Sequence, residues 1–475
     1  MNFCISLISK TYLLPILFLF HFSLCYAQSI DSTAVYKIEE IIIRGNKKTK
    51  NRIITRELSK TISDTITLYA IHLFKKRSEQ NIFNTQLFIY DTIYPVINHV
   101  NKTIKLNIAV KERWYLWPVP VFEIQDRNFN SWWRTKDLFR INYGFALGLD
   151  NFTGVKDRLV FLFQRGYSEK YGFSYRMPYI NKSQTVGFNM SYVFGRNNEV
   201  TFITQNNTTL FVRKYDQYLR SEHEGKAGMI YRPNLYEYNT LELVVKKASV
   251  NDTVVKLNPD FYGKNLKNIT FASLQYRYTF DNRDNKLYPL RGWAFDAWIA
   301  QDGFNFSENS PITNLNVTTS LRKHSKIFKR VYLANMIKGR WMNVDYLPFN
   351  FNRALGYSDL VRGYEYYVMD GQKYFLTKNS LRYQIIKPRV FQSKNLIRIK
   401  QFNTIPYYAF INVFIDAAYV EDKFYYKTNS LNNSMQYGYG LGLDFITYYD
   451  VVLRFEYSFN KQNQSGFFIH VASGF

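Results

Sequence analysis

Along most of the chain, apolar and polar residues alternate one by one. In "FRINYGFALGLD" (139–150), Phe139, Ile141, Tyr143, Phe145, Leu147 and Leu149 share one face, while Arg140, Asn142, Gly144, Ala146, Gly148 and Asp150 share the other. Side chains of an extended strand point to opposite faces in turn, so the pattern predicts strands with one greasy face and one polar or small face. It returns in "VGFNMSYVF" (186–194), "YGYGLGLDF" (437–445) and "VVLRFEYSF" (451–459). A soluble sandwich also alternates, but its strands are usually shorter and its polar face meets water. Strands of about ten residues with glycines and charges on the inner face suit a transmembrane barrel better.

Residues 35–113 read differently. "YKIEEIIIRGN" (36–46) predicts a strand ending in a Gly-Asn turn, and "TKNRIITREL" (49–58) places Ile54 and Leu58 on one helical face. A second helical stretch falls near "SEQNIFNTQ" (78–86). "LFIYDTIYPVI" (87–97) and "KTIKLNIAVKE" (102–112), where Ile104, Leu106, Ile108 and Val110 alternate, then read as a hairpin. The order β-α-α-β-β predicts a small α+β domain ahead of the barrel.

Composition agrees with a chain rich in strands, since 40 tyrosines and 40 phenylalanines favour pleated, half-buried surfaces. The formal charge of +25 raises nucleic acid as a partner. The basic residues are spread along the chain, however, with no basic helix or zinc knuckle to organise them, so anionic lipid head groups fit better. Lys10, the apolar run "YLLPILFLFHF" (12–22) and "CYA" before Gln28 predict a secretory signal cleaved after Ala27. That run is too short to span a membrane. Cys4 and Cys25 both lie in the signal, so disulfide and thiol chemistry are not expected of the mature chain. Leu24 makes the setting of Cys25 a poor lipoprotein acceptor.

Catalytic patterns are missing. "GYSDL" and "GYSEK" lack the closing glycine of a nucleophile elbow, and His223-Glu224 is not followed by the second histidine of a zinc helix. His72, His99, His223, His324 and His470 are scattered, which places no metal site or triad. Neither enzyme activity nor a cofactor is expected. Asn-x-Ser/Thr sites such as Asn207 and Asn268 follow from an asparagine-rich chain.

Several segments resemble a known family. "IIIRGNKKTKNRIITREL" with "LFIYDTIYPVI" and "IKLNIAVKE" is similar to a polypeptide-transport-associated (POTRA) domain. "FDNRDNKLYPLRGWAFD" (280–296) resembles a strand-turn-strand of the bacterial surface antigen family of outer-membrane assembly and translocation proteins. There Pro289 and Gly292 suit a tight turn, and Asp281, Arg283 and Asp284 suit a local ion-pair cluster. The family's arginine-glycine-aromatic motif matches Val361, Arg362, Gly363 and Tyr364. Its aromatic-x-aspartate-x-glycine strand motif matches Phe414, Ile415, Asp416, Ala417 and Ala418, with alanine in place of the last glycine. "GFFIHVASGF" (466–475) resembles an outer-membrane strand signal ending in Phe475.

The resemblance implies a signal peptide (1–27), a linker (28–34), one periplasmic POTRA domain (35–113) and an outer-membrane antiparallel barrel of about 16 strands (114–475). In the family the arginine loop folds back into the lumen. On "INVFIDAAY" (411–419), Ile411, Val413, Ile415, Ala417 and Tyr419 take the lipid face and Asn412, Phe414 and Asp416 point inward, so Arg362 is expected to meet Asp416 through two parallel hydrogen bonds, with Gly363 allowing close approach. The first barrel strand is expected at "PVPVFEIQD" (118–126), where Pro118 and Pro120 cannot donate. Pairing with the last strand, ending at Phe475, should then be weak, as a lateral gate requires. The family role is insertion or translocation of unfolded outer-membrane client proteins. Lipid and lipopolysaccharide would surround the barrel, and periplasmic or lipoprotein accessory factors are compatible further partners. A dedicated secretion pore and a structural barrel without insertase activity are the alternatives.

Overall fold

The computed structural model describes residues 33–124, 132–133, 136–304, 312–392, 404–447 and 451–472. The signal with Cys4 and Cys25, and Phe475, lie outside the described residues.

The N-terminal unit runs β1 (Val35–Arg44), α1 (Asn51–Thr55), β2 (Thr65–Thr67), α2 (Ile71–Phe83), β3 (Phe88–Asn98) and β4 (Thr103–Glu112). Its sheet has the order β2-β1-β4-β3, with β1 parallel to β4 and the other neighbours antiparallel. Ile104, Leu106, Ile108 and Val110 of β4 are buried against Ile53, Ile54, Phe74 and Ile82 of the helices. Three details differ from the sequence expectation. Strand β2 is too short for any alternation to show and exists through its ladder with β1, Val35 opposite Thr67. Helix α1 is shorter than 49–58, and beyond it the chain turns so that Leu58 enters the core. Helix α2 begins well before 78 because its buried row is Phe74, Ser78 and Ile82, and the serine in the middle hides the apolar period.

The barrel strands begin with β5 (Leu116–Ile124), β6 (Ile141–Asp150), β7 (Arg158–Gly166), β8 (Ser168–Met177) and β9 (Val186–Asn197). A hairpin of β10 (Glu199–Gln205) and β11 (Thr208–Arg213) follows, then β12 (Arg220–Tyr231) and β13 (Glu237–Val250), a short helix α3 (Asp252–Leu257), β14 (Asn268–Asp281), β15 (Gly292–Asp302), β16 (Asn314–Lys326) and β17 (Val331–Asn343). The two-stranded β18 (Arg353–Leu355) and β19 (Met369–Asp370) precede β20 (Lys373–Gln392), β21 (Thr404–Glu421), β22 (Gln436–Ile446), β23 (Val452–Asn460) and β24 (Ser465–Ala472). Apart from the two small hairpins, these strands form one 16-stranded antiparallel sheet in chain order, from β5 to β24.

Burial follows the alternation. On β21, Ile411, Val413 and Ile415 are exposed outward, whereas Asn412, Phe414 and Asp416 are buried on the lumen side. On β6, Tyr143 and Phe145 face out and Asn142 faces in. Phe139, expected on that strand, instead sits in a 3-10 turn, Leu138–Arg140, capped by the Asp137 side chain, and the strand starts at Ile141. No helix among the described residues is long and apolar enough to cross a membrane, which says nothing of crossing by strands.

One end of the barrel carries the N-terminal unit. Lys50 bonds to the Gly154 carbonyl, Arg56 to the carbonyls of Gln184 and Arg232, and Arg77 to Tyr236 and the Asn282 carbonyl. Val155 and Tyr179 from the barrel's turns belong to the same apolar core as the unit itself. At the other end the long connections pack on one another. Asn258 donates to the Phe202 carbonyl at 2.6 Å, Thr204 to Asp370 at 2.6 Å, and the Asn207 amide to Asn429 at 2.8 Å. Val200, Leu219, Phe261 and Tyr262 form an apolar core beneath them. This end is capped.

Candidate functional site

The loop 344–372, between β17 and β20, is largely buried inside the sheet. Arg362 is 3% exposed, and its Nε and Nη2 donate to the two carboxylate oxygens of Asp416 at 2.8 and 2.6 Å. Nη1 donates to Glu456 Oε1 at 3.2 Å, and the guanidinium lies 3.8 Å from the centre of the Phe414 ring. A planar cation held by two-pronged hydrogen bonds and a ring face is far better fixed than a surface ion pair, because few other rotamers satisfy all partners. Gly363 has φ +95°, and a Cβ there would stand 2.9 Å from the Phe459 carbonyl oxygen of β23. Arg362, Gly363, Tyr364, Phe414 and Asp416 are therefore brought together.

The segment holds more than was expected of it. Tyr364 OH donates to Gln436 at 3.1 Å and accepts from the Lys461 amide, and the Gly363 carbonyl accepts from Asn460 Nδ2 at 2.9 Å. Glu365 accepts from the Gly363 amide, and its other oxygen lies 3.8 Å from His470 Nε2, which is also 3.6 Å from Glu456. The Tyr366 and Phe468 ring centres are 5.6 Å apart, and Tyr367 OH donates to Gln464 at 2.9 Å. From Arg362 to Tyr367, each residue touches the last hairpin, β23–β24, or its turn.

Asp281 and Arg283 form a two-pronged pair, both contacts at 2.9 Å. Asp284 does not join it: its carboxylate accepts from the backbone amides of Leu290 and Arg291. Nor is the connection tight. Residues 282–291 reach into the lumen, where Tyr288 OH donates to Asp444 at 2.7 Å and the Pro289 carbonyl accepts from Arg382. Gly292, at φ +96°, opens β15 after this excursion. Asp444 in turn binds Arg454 Nε at 2.8 Å, and Arg454 lies 3.9 Å from Glu456. A buried chain of charges thus runs from the 282–291 connection to Arg362. Glu456, Arg454 and Asp444 were missed in the sequence although their alternation is visible in 437–459, because only the ladder shows that Asp444 stands opposite Arg454.

The N-terminal unit is keyed to the same connection. Asn84 Nδ2 donates to the Arg283 carbonyl at 3.2 Å, and its Oδ1 accepts from the Lys286 amide. Glu57 binds Arg232 through both carboxylate oxygens at 2.6 and 2.9 Å, both side chains 3% exposed. Burial pushes the Glu57 carboxyl up, but the Arg232 guanidinium outweighs it and holds it below the ordinary carboxylate range. Burial brings the Lys156 ammonium, in the turn after β6, down to about 7.

The sheet ends in two margins, β5 and β24. Tyr115 pairs with Asp150 through the Asp150 amide, so on β5 the backbone groups of Leu116, Pro118, Pro120 and Phe122 point away from β6. Asn460 pairs with Gln464 in the same way, which turns Ser465, Phe467, Ile469 and Val471 of β24 away from β23. Those margins would face each other on closure. Among the described residues no ladder joins β5 to β24, and Pro118 and Pro120 remove two donors from the margin of β5. No group of three or more His, Cys, Asp or Glu among the described residues is placed to hold a metal ion.

A 16-stranded antiparallel sheet with an apolar outer face, a charged inner face and a loop anchored in its lumen defines a transmembrane β-barrel of the outer-membrane type. A model of the Omp85 superfamily domain matches residues 151–471, and the chain belongs to this superfamily. In fold it is similar to CdiB from Escherichia coli, at 10% identity and a TM-score of 0.55 over 93% of this chain and 76% of that one. BamA from Haemophilus ducreyi lacking POTRA domains 1–3 aligns at 15% identity and a TM-score of 0.49 over 92% of this chain and 83% of that one. No curated protein matches the sequence at a significant level. The superfamily and the barrel fold place the protein in a Gram-negative outer membrane.

Proposed function

We propose that this protein inserts or translocates other outer-membrane polypeptides. The N-terminal unit acts as a periplasmic POTRA domain that meets unfolded clients, and the margins of β5 and β24 act as a lateral gate. The observation that carries this reading is the pair of prolines on the β5 margin, together with the absence, among the described residues, of a β5–β24 ladder. An unpaired margin costs hydrogen bonds in a membrane, where no water replaces them. A client strand that pairs with β24 relieves that cost and is thereby drawn to the seam. The buried loop and the packed cap support lateral delivery over passage through the lumen.

Lipid and lipopolysaccharide meet the aromatic outer face, and periplasmic or lipoprotein accessory factors are compatible further partners. Neither enzyme activity nor a cofactor enters the scheme. The test is depletion of the protein followed by a survey of the outer membrane. Loss of many barrel proteins supports the insertase, loss of one secreted protein would redirect the assignment to a dedicated pore, and an unchanged membrane would leave a structural barrel.

A further inference from the structure

Strand capture by the N-terminal unit, the reading on which this inference rests, needs a sheet edge with free backbone groups. The long edge is β3. Its partner β4 sets Thr103, Lys105, Asn107 and Ala109 opposite Asn98, Val96, Tyr94 and Thr92. Lys37 of β1 bonds to the Lys102 carbonyl, so the even-numbered residues of β4 serve β1 and the odd-numbered ones serve β3. Asp91, Ile93, Pro95 and Ile97 of β3 therefore turn their backbone outward, where an arriving strand would pair.

That edge is closed at its middle. The Ile93 amide donates to Glu79 Oε1 of α2 at 2.8 Å, and Pro95, the next outward residue, has no amide hydrogen. Two successive outward donors are missing, one occupied and one absent. We propose that Glu79 is a latch on a strand-accepting edge whose ligand is an extended polypeptide that supplies most of the hydrogen-bond donors itself. The carbonyls of Ile93, Pro95 and Ile97 remain as acceptors, so a client pairs here by donating. Swinging Glu79 away returns the one donor that the fold can return.

The latch is lightly built. Glu79 is partly exposed and its ion pair with Lys75 spans 3.8 Å, so what displacement must break is chiefly the single hydrogen bond to Ile93. A resting edge closed in this way does not pair with a second copy, the hazard that free edges carry. Selection follows as well. A segment with proline or another blocked amide at alternate positions cannot donate into the three carbonyls and is refused.

The full-length protein in detergent, with a photo-crosslinker at Val96 next to the edge, tests this. The probe is a synthetic peptide of residues 464–475. Glu79→Ala is expected to raise crosslinking affinity roughly tenfold, the worth of the one hydrogen bond that the latch makes. Glu79→Gln, which keeps an acceptor oxygen, should stay near wild type. Methylating alternate peptide amides should abolish binding to Glu79→Ala. Equal binding by wild type and Glu79→Ala overturns the latch while leaving strand capture standing. Binding by neither overturns both. Retained binding of the methylated peptide shows that whatever docks at Val96 is not a paired strand, and overturns the proposal.

Discussion

The carbonyl oxygen of Arg362 occupies the place of a side chain on Gly438: a Cβ on that glycine of β22 would stand 1.8 Å from it. Gly438 thus makes the space into which the backbone of the arginine loop is pressed. Gly438→Ala should expel the loop without disturbing the lipid face. Protease cleavage within 344–372 in otherwise folded, heat-modifiable barrel should appear in the variant and be absent from wild type.

Arg362 neutralises two carboxylates, and the two sides of its pairing are unequal. Arg362→Ala leaves Asp416 buried and Glu456 with one cation fewer, at a cost on the order of 3–5 kcal/mol. Asp416→Ala leaves Arg362 with Glu456 still at 3.2 Å and should cost less. The double variant should be little worse than Arg362→Ala, and Arg362→Lys should rescue only partly because an ammonium cannot make the two-pronged contact. Thermal unfolding of the four variants in detergent checks the order, and strictly additive losses would contradict a shared interaction.

At the seam, Pro118→Val with Pro120→Val restores two donors on the margin of β5 turned away from β6. Closure should tighten. Hydrogen exchange at Ser465, Phe467, Ile469 and Val471 should slow, and client insertion should fall in the same variant. Unchanged exchange would show that the prolines do not hold the seam open.

Asp91 gives a pH signature. Burial, reinforced by the Glu79 carboxylate, pushes its carboxyl from 3.8 up to about 7. The folded unit therefore keeps a proton that the unfolded chain has released. The resulting stability is fully present below pH 4 and lost as pH rises to about 7, on the order of 4 kcal/mol in all. Amide exchange in residues 35–112 should quicken across this window, and Asp91→Asn should flatten the profile.

Much of this was legible in the residues. The alternation in 139–150, 186–194, 411–419, 437–445 and 451–459 marked barrel strands and their lipid faces, because burial on one side of a sheet leaves a period of two in any strand long enough to show it. Strand β2 was too short to show one, and Ser78 broke the period of α2. The meeting of Arg362 and Asp416 came into view through a family resemblance together with the inward parity of 411–419. The partnership with Glu456, His470 and Phe468 did not, because it depends on which strand lies beside which and at what register, and nothing local in a sequence states that. The 282–291 connection misled for a related reason: proline and glycine signal a turn, but not that its tip, Tyr288, has a buried destination at Asp444.

The strands of the 16-stranded sheet pair in chain order, and among the described residues β5 and β24 are left as its margins. Every ladder from β5 to β24 can form soon after its two strands exist, by closing a connection that is short beside the whole barrel. Joining β24 to β5 closes a loop of nearly the whole barrel and has the greatest entropy to overcome. Chain order alone therefore makes the seam the last join to be made and the first to part. A parting there would break none of the other ladders.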